Sequence, residues 1–293
     1  MSAYRPHEAL VASARPTAEL WRLVAAIVLI VLGFLALNIA YFQTLASLPA
    51  WNALRIELRD GSSARAIWAM LGNFVPLLIV VVLAARLLNG RNLAALTGPL
   101  GLVLRDFTRV GRLALLLFFV VFLIPSPGGA EPVGNMAFGA WVRLLPLSLL
   151  LIFIQIGTEE LLFRGYLQSQ IAARFSSPIA WMVIPSILFG ALHYEPSTYG
   201  ENAIWLAAWS GLFGLAAADL TARAGNLGPA LALHFLNNVS AMMFSAMRDH
   251  WDGLALYVYP FGPEDTEALR AILPLEGLVI LCGWLVARVA IRR

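Results

Sequence analysis

The chain has 293 residues, of which 60% are hydrophobic and only 13% charged, and its mean hydropathy is +0.78. Soluble domains carry roughly 45–50% apolar and about 25% charged residues, so this composition excludes an ordinary soluble enzyme and indicates a membrane protein. The net charge of +3 rests on arginine alone, with no lysine, and calls for no nucleic-acid partner, because the arginines sit at the ends of apolar segments; the single cysteine, Cys282, rules out an internal disulfide and a cysteine-held metal.

Apolar segments predict membrane spans at 20–43, 66–87, 112–126, 142–162, 178–194, 203–222, 229–247 and 270–289. A lone apolar helix can cross a bilayer because its backbone satisfies its own hydrogen bonds. The expected fold is therefore all-α: a polytopic transmembrane helical bundle of about eight spans. The third and fifth are short for a hydrocarbon core about 30 Å thick. The first apolar run is too long for a cleavable signal, and no small-residue cleavage site ends it. Residues 127–137, rich in glycine and proline, form the clearest loop. They divide an N-terminal membrane region (1–137, about three spans) from a core that carries the polar motifs (138–247). A loop and the final helix follow (248–293).

Loop arginines set the expected orientation. Arg5, Arg15 and Arg22 precede the first span, and Arg86, Arg91, Arg105, Arg109 and Arg112 fill the loop after the second. Arg164 and Arg174 follow the fourth, Arg223 ends the sixth, and Arg288, Arg292 and Arg293 end the chain. With eight spans these segments share one side, which puts both termini in the cytoplasm at the cell membrane. The opposite loops are more acidic, with Arg55, Arg59 and Arg65 as the exception.

Ionisable groups inside membrane segments cost about 2.5–3.5 kcal/mol each on insertion scales, so the few present here merit individual reading. In TEELLFRG (158–165), Glu160 and Arg164 are four residues apart with the acid first, the favourable order for an ion pair on one helix face. Glu159 then points elsewhere, with no partner on its own helix. In LFGALHYE (188–195), Phe189 and His193 share a face, and Gly190 and Ala191 permit close helix approach. In ALHFLNNVS (232–240), His234 and Asn238 share a face. Asp219 has Arg223 four residues on, and Ala207 with Gly211 form a small-residue packing face. Each motif alone also fits a structural role: a membrane-boundary cluster for the first, interhelical hydrogen bonds for the others. Converging in a bundle, they form a set for hydrolysis without a serine or cysteine nucleophile. A glutamate beside a histidine can hold and deprotonate water, and His and Asn donors can stabilise an oxyanion. The same side chains could bind zinc, and no HExxH signature is present.

EELLFR matches EExxxR, FGALH matches FxxxH and HFLNN matches HxxxN. Ordered this way on successive membrane helices, they resemble the CAAX prenyl endopeptidase and bacteriocin-processing (CPBP) family of intramembrane proteases, over about residues 142–245. The resemblance implies a peptide or protein substrate in or at the membrane. It implies that Glu159 and His193 activate the water, that His234 and Asn238 form the oxyanion site, and that Glu160 and Arg164 support them. The family has been described both as metalloprotease and as metal-independent; a water held by Glu159 and His193 needs no metal. A catalytically silent scaffold or bacteriocin self-immunity protein is the alternative, and a proton-coupled carrier a third. For the motifs to meet in depth, the fourth helix must continue through YLQSQIAARF (166–175) to about residue 174, with Glu159 near its middle. Pro185 offers a bend in the fifth.

Overall fold

The computed structural model describes residues 3–126 and 130–292, so Pro127, Gly128 and Gly129 of the expected loop lie outside the described residues. The chain begins with a short helix, α1 (Glu8–Val11), between 3-10 turns at Arg5–His7 and Arg15–Thr17. The first span is α2 (Leu20–Ala46), followed by α3 (Trp51–Glu57), α4 (Ala64–Gly72), α5 (Phe74–Asn89), α6 (Leu93–Thr97) and α7 (Leu100–Phe122). After β1 (Val133–Gly134) come α8 (Phe138–Glu160), α9 (Ser169–Arg174), α10 (Pro178–Ala191), α11 (Pro196–Tyr199), α12 (Ala203–Ala224) and α13 (Gly228–Val239). Strands β2 (Ser245–Met247) and β3 (Tyr257–Tyr259) precede α14 (Thr266–Ile291).

Local chemistry places the boundaries. Ser63, Asn92 and Asp265 each accept a hydrogen bond from the backbone N–H three residues on, capping α4, α6 and α14. Gly90 and Gly225 end α5 and α12 in the left-handed conformation that glycine adopts without strain.

The protein is a multi-pass helical membrane protein. Five helical stretches are long and apolar enough to cross a bilayer: Leu20–Ala46, Ala64–Asn89, Phe138–Arg174, Pro196–Ala224 and Thr266–Ile291. Their outer faces carry exposed Leu and Val, such as Leu32, Leu83, Leu150, Leu212 and Val289, a surface that suits lipid rather than water. Each expected span falls on a helix, with three changes. First, α7 starts at Leu100, so Arg105, Arg109 and Arg112 are helical rather than a loop; they face out of a helix whose buried positions are Val103, Asp106, Val110 and Ala114. Second, the seventh helix stops near residue 244, and 245–247 form a strand. Third, the loop after α7 contains β1, which pairs antiparallel with β3, while β2 pairs with β3 in parallel. This small sheet ties the segment before α8 to the segment after α13.

The fourth helix does run on. It is α-helical to Glu160, π-helical over Leu161–Gln168, and α-helical again to Arg174. Glu159 consequently sits well inside a continuous 37-residue helical stretch. Helix α8 packs against α4, α5 and α13; α10 packs on α12; and α7 and α14 pack on one another, with α7 also against α13. Helix α2 lies outermost, against α5. The EExxxR and HxxxN motifs thus fall in the seam between α8 and α13, closed by α10 and α12.

Candidate active site

Glu160 is at the centre of this seam. Its side chain is fully buried, and its Oε1 accepts hydrogen bonds from Arg164 Nη1 at 2.9 Å and His234 Nδ1 at 2.8 Å. Arg164 is buried to the same degree. The expected ion pair therefore exists, and it extends across to α13. Isolated buried charges are costly, so the pair's mutual neutralisation is what allows both to be there. The guanidinium also lies 4.6 Å over the Phe189 ring, a cation–π contact in a water-poor setting. Gly214 leaves room for it, since a Cβ there would meet Arg164 Nη2 at 3.3 Å.

Glu159 faces the other side of His234. Its Oε2 is 3.4 Å from His234 Nε2 without hydrogen-bond geometry, and it is buried with no hydrogen-bond partner among the described residues. Its Oε1 accepts from Gln155 Nε2 at 3.4 Å. Glu159 thus has a partner on its own helix after all, four residues earlier. Gln155 Oε1 in turn accepts from Asn238 Nδ2 at 3.1 Å. One polar chain therefore runs from Asn238 through Gln155, Glu159, His234 and Glu160 to Arg164. Gln155 is the member that the motifs did not reveal. A polar side chain one helical turn before Glu159, in an otherwise apolar run, was the available signal.

His193 stands apart from this chain. It lies in the turn after α10, exposed, and among the described residues it has no hydrogen bond or ion pair to either glutamate. Its Nδ1 lies 2.8 Å from the Phe189 carbonyl oxygen. A carbonyl only accepts, so Nδ1 carries the hydrogen, and in the neutral ring Nε2 is left as an acceptor. Phe189 links the two histidines, its ring centroid 4.6 Å from His193 and 6.0 Å from His234. Phe163 packs edge-on against Phe189 at 5.1 Å, and Phe213 lies 4.9 Å from His234. The cluster is therefore walled by aromatic rings on α10, α12 and the π-helical stretch. Beyond Phe213, an apolar crevice is lined by Phe118, Leu233, Asn237 and Ile280.

The small-residue face is confirmed. A Cβ on Gly190 would meet the Ala207 carbonyl oxygen at 2.5 Å and Gly211 Cα at 3.1 Å, so α10 and α12 are in backbone contact there. Asp219 bonds Arg223 as expected, and Tyr4 and Trp284 also donate to it.

Among the described residues no group of three or more His, Cys, Asp or Glu is arranged to hold a metal ion. Glu160 Oε1 is taken by Arg164 and His234 Nδ1, whereas Glu159 Oε2 and His234 Nε2 lie 3.4 Å apart.

A bundle of this type, with a Glu–His–Arg cluster buried between two membrane helices, defines a polytopic membrane protein with the elements of an acid–base site. Residues 141–240 match the family model described as Rce1-like, type II CAAX prenyl endopeptidase. That segment contains all three motifs and bears out the resemblance to CPBP-type intramembrane proteases. Over 104 residues the chain is 31% identical to the uncharacterized protein YyaK of Bacillus subtilis (strain 168). The match covers 36% of this chain and 35% of that protein, so it spans about a third of the relative's length. No solved structure matches the chain.

Proposed function

We propose that the protein is an intramembrane endopeptidase of the CAAX type, which hydrolyses a peptide bond in a membrane-associated or prenylated-type peptide with water activated at Glu159. The observation that carries the reading is Glu159 Oε2: a buried carboxylate oxygen with no hydrogen-bond partner among the described residues, 3.4 Å from His234 Nε2 and next to the neutralised Glu160–Arg164 pair. A carboxylate so placed can take a proton from water as general base. His193 Nε2, left as acceptor by the Nδ1 bond to Phe189, can accept a hydrogen bond from water, but it stands apart from Glu159, so the base role rests on Glu159 alone. The attacking oxygen adds to the scissile carbonyl, and the negative charge that develops meets donors from His234 and Asn238. Donation from His234 Nε2 requires protons on both ring nitrogens, the other being held by Glu160 Oε1. Collapse of the intermediate breaks the C–N bond, and the proton on Glu159 goes to the leaving amine.

Arg164 and Glu160 take no part in proton transfer. They fix the ring orientation of His234 and keep the buried site close to neutral. The arginine distribution supports a site served from the cytoplasmic side, with both termini there.

The test is incubation of the purified protein, in detergent and in bilayers, with a library of prenylated and unprenylated membrane peptides, with and without chelator. New peptide termini in both chelator arms support the reading. Products that disappear with chelator contradict the metal-free step, and no product from any library member contradicts the function.

A further inference from the structure

The side chain of Gln155 connects the two halves of the site. It lies one turn before Glu159 on α8 and faces Asn238 on α13, and no sequence motif includes it. Hydrogen-bond polarity fixes its role. A carboxylate only accepts, so the Gln155 amide must turn its NH2 toward Glu159 Oε1, as observed at 3.4 Å. Its carbonyl oxygen then faces Asn238, and the Asn238 amide must turn its own NH2 toward it, as observed at 3.1 Å. Asn237 Nδ2 donates to Asn238 Oδ1 at 3.4 Å, which supports the same orientation from the other side. The direction of the chain is thus set by one carboxylate, through Gln155, on an amide it does not touch.

We infer that Gln155 is the positioning residue of the site: it presents the Asn238 NH2 as a donor and ties down Glu159 Oε1 so that Oε2 is the reactive oxygen. This inference rests on the endopeptidase reading. An Asn238 amide rotated by half a turn would aim a carbonyl oxygen at a developing oxyanion and repel it. Asn238 uses one N–H on Gln155 and keeps the second for substrate. Nothing in the apolar stretch 144–157 besides Gln155 can serve this purpose, since Ser148 is engaged by Trp68 Nε1.

The experiment is a mutant cycle on the full-length protein with a cleavable peptide, reading kcat and KM separately. Gln155→Met keeps the bulk and loses both bonds; it is expected to lower kcat roughly 10- to 100-fold, with KM within about threefold. Asn238→Ala should lower kcat similarly, and the loss in the double variant should fall well short of the product of the two single losses, because the two share one hydrogen bond and only the Gln155–Glu159 bond is left to lose. Gln155→Glu guards against a folding effect. It keeps an acceptor for Asn238 but puts a second carboxylate beside Glu159, within reach of Glu160, Arg164 and His234. The acid limb of its pH–rate profile should move up by about one unit. Losses that multiply in the double variant, or Gln155→Met within threefold of wild type, would overturn the inference, and so would an unmoved acid limb. Wild-type protein that cleaves nothing would instead overturn the endopeptidase reading, a result distinguishable from all of these.

Discussion

At the scale of single residues, the site is organised by Glu160 rather than by the glutamate assigned the chemistry. Glu160 Oε1 receives both Arg164 and His234, so one carboxylate joins α8, the π-helical stretch and α13. Removing one partner of a buried pair typically destabilises by about 3–5 kcal/mol, because the other charge is left unpaired. Arg164→Met is therefore expected to lower the thermal midpoint of the detergent-solubilised protein strongly, whereas Glu159→Gln should leave it near wild type. Similar midpoints for all three proteins would show that the pair has no structural role. The ion pair was readable because i,i+4 spacing survives the local change of helix type. The His234–Glu160 contact was not, since spacing along a chain says nothing about which of two adjacent glutamates faces another helix. Gln155 was overlooked for a related reason: its importance lies in what its two ends touch on different helices.

At the scale of elements, the π-helical stretch Leu161–Gln168 begins directly after the two glutamates. Each π turn widens the helix and shifts the faces of all later residues, and such insertions recur at functional sites. It is why the phase of an ideal α-helix does not extrapolate past Glu160. Arg164, Gly165, Tyr166, Leu167 and Gln168 are all buried, a run that no amphipathic pattern predicts. The length of this helix, by contrast, was legible, since the need for Glu159 to reach the other motifs demanded a continuous helix to about residue 174. Helix α10 was also legible as short, and close approach was legible at Gly190 and at the Ala207–Gly211 pair separately, but not that these two faces meet each other. That contact sets a prediction. Gly190→Ala places a methyl 2.5 Å from a backbone oxygen, which cannot move aside as a flexible side chain can. The variant should separate α10 from α12, destabilise by about 1–3 kcal/mol and displace Phe189 from the cluster. Thermal midpoint and peptide cleavage should fall together; unchanged values for both would mean the helices are not in contact there.

At the scale of the whole molecule, an N-terminal cap covers one end of the bundle. Arg91, nearly fully buried, donates to the Leu10, Ala95 and Gly165 carbonyls and to the hydroxyls of Ser13 and Ser169. Tyr4 reaches Asp219, and His7 packs against Trp181 with its ring tilted by 41° and a centroid separation of 4.7 Å. Burial, with the Arg91 charge as a smaller contribution, pushes the His7 pKa down to about 4. The sign follows directly. A depressed histidine pKa means that the undocked cap binds the proton more readily than the docked one. The cap's stability is complete above about pH 6.5 and is lost progressively as pH falls toward 4, by on the order of 3 kcal/mol in all. Arg5, Glu8 and Arg15 line the same hollow. Protease accessibility of the first 19 residues should therefore rise below pH 6, and His7→Phe, which keeps a ring on Trp181, should abolish the rise. A wild-type cap equally resistant at pH 4.5 and 7.5 would contradict this.

The bundle class and the order of the helices were legible across the whole chain, because hydrophobic length needs no tertiary information. The cap and the three-stranded sheet were not. The first depends on one buried arginine that binds carbonyls distant in sequence, and the second on strands of two and three residues, too short to carry a period.

The central claim is that Glu159 activates the water. The direct measurement is the rate of peptide cleavage by wild-type protein and by Glu159→Gln, matched in fold by their thermal midpoints. Glu159→Gln is expected to lose about 10²–10⁴-fold in kcat, the range general-base catalysis supplies. A variant that cleaves within tenfold of the wild-type rate would contradict it.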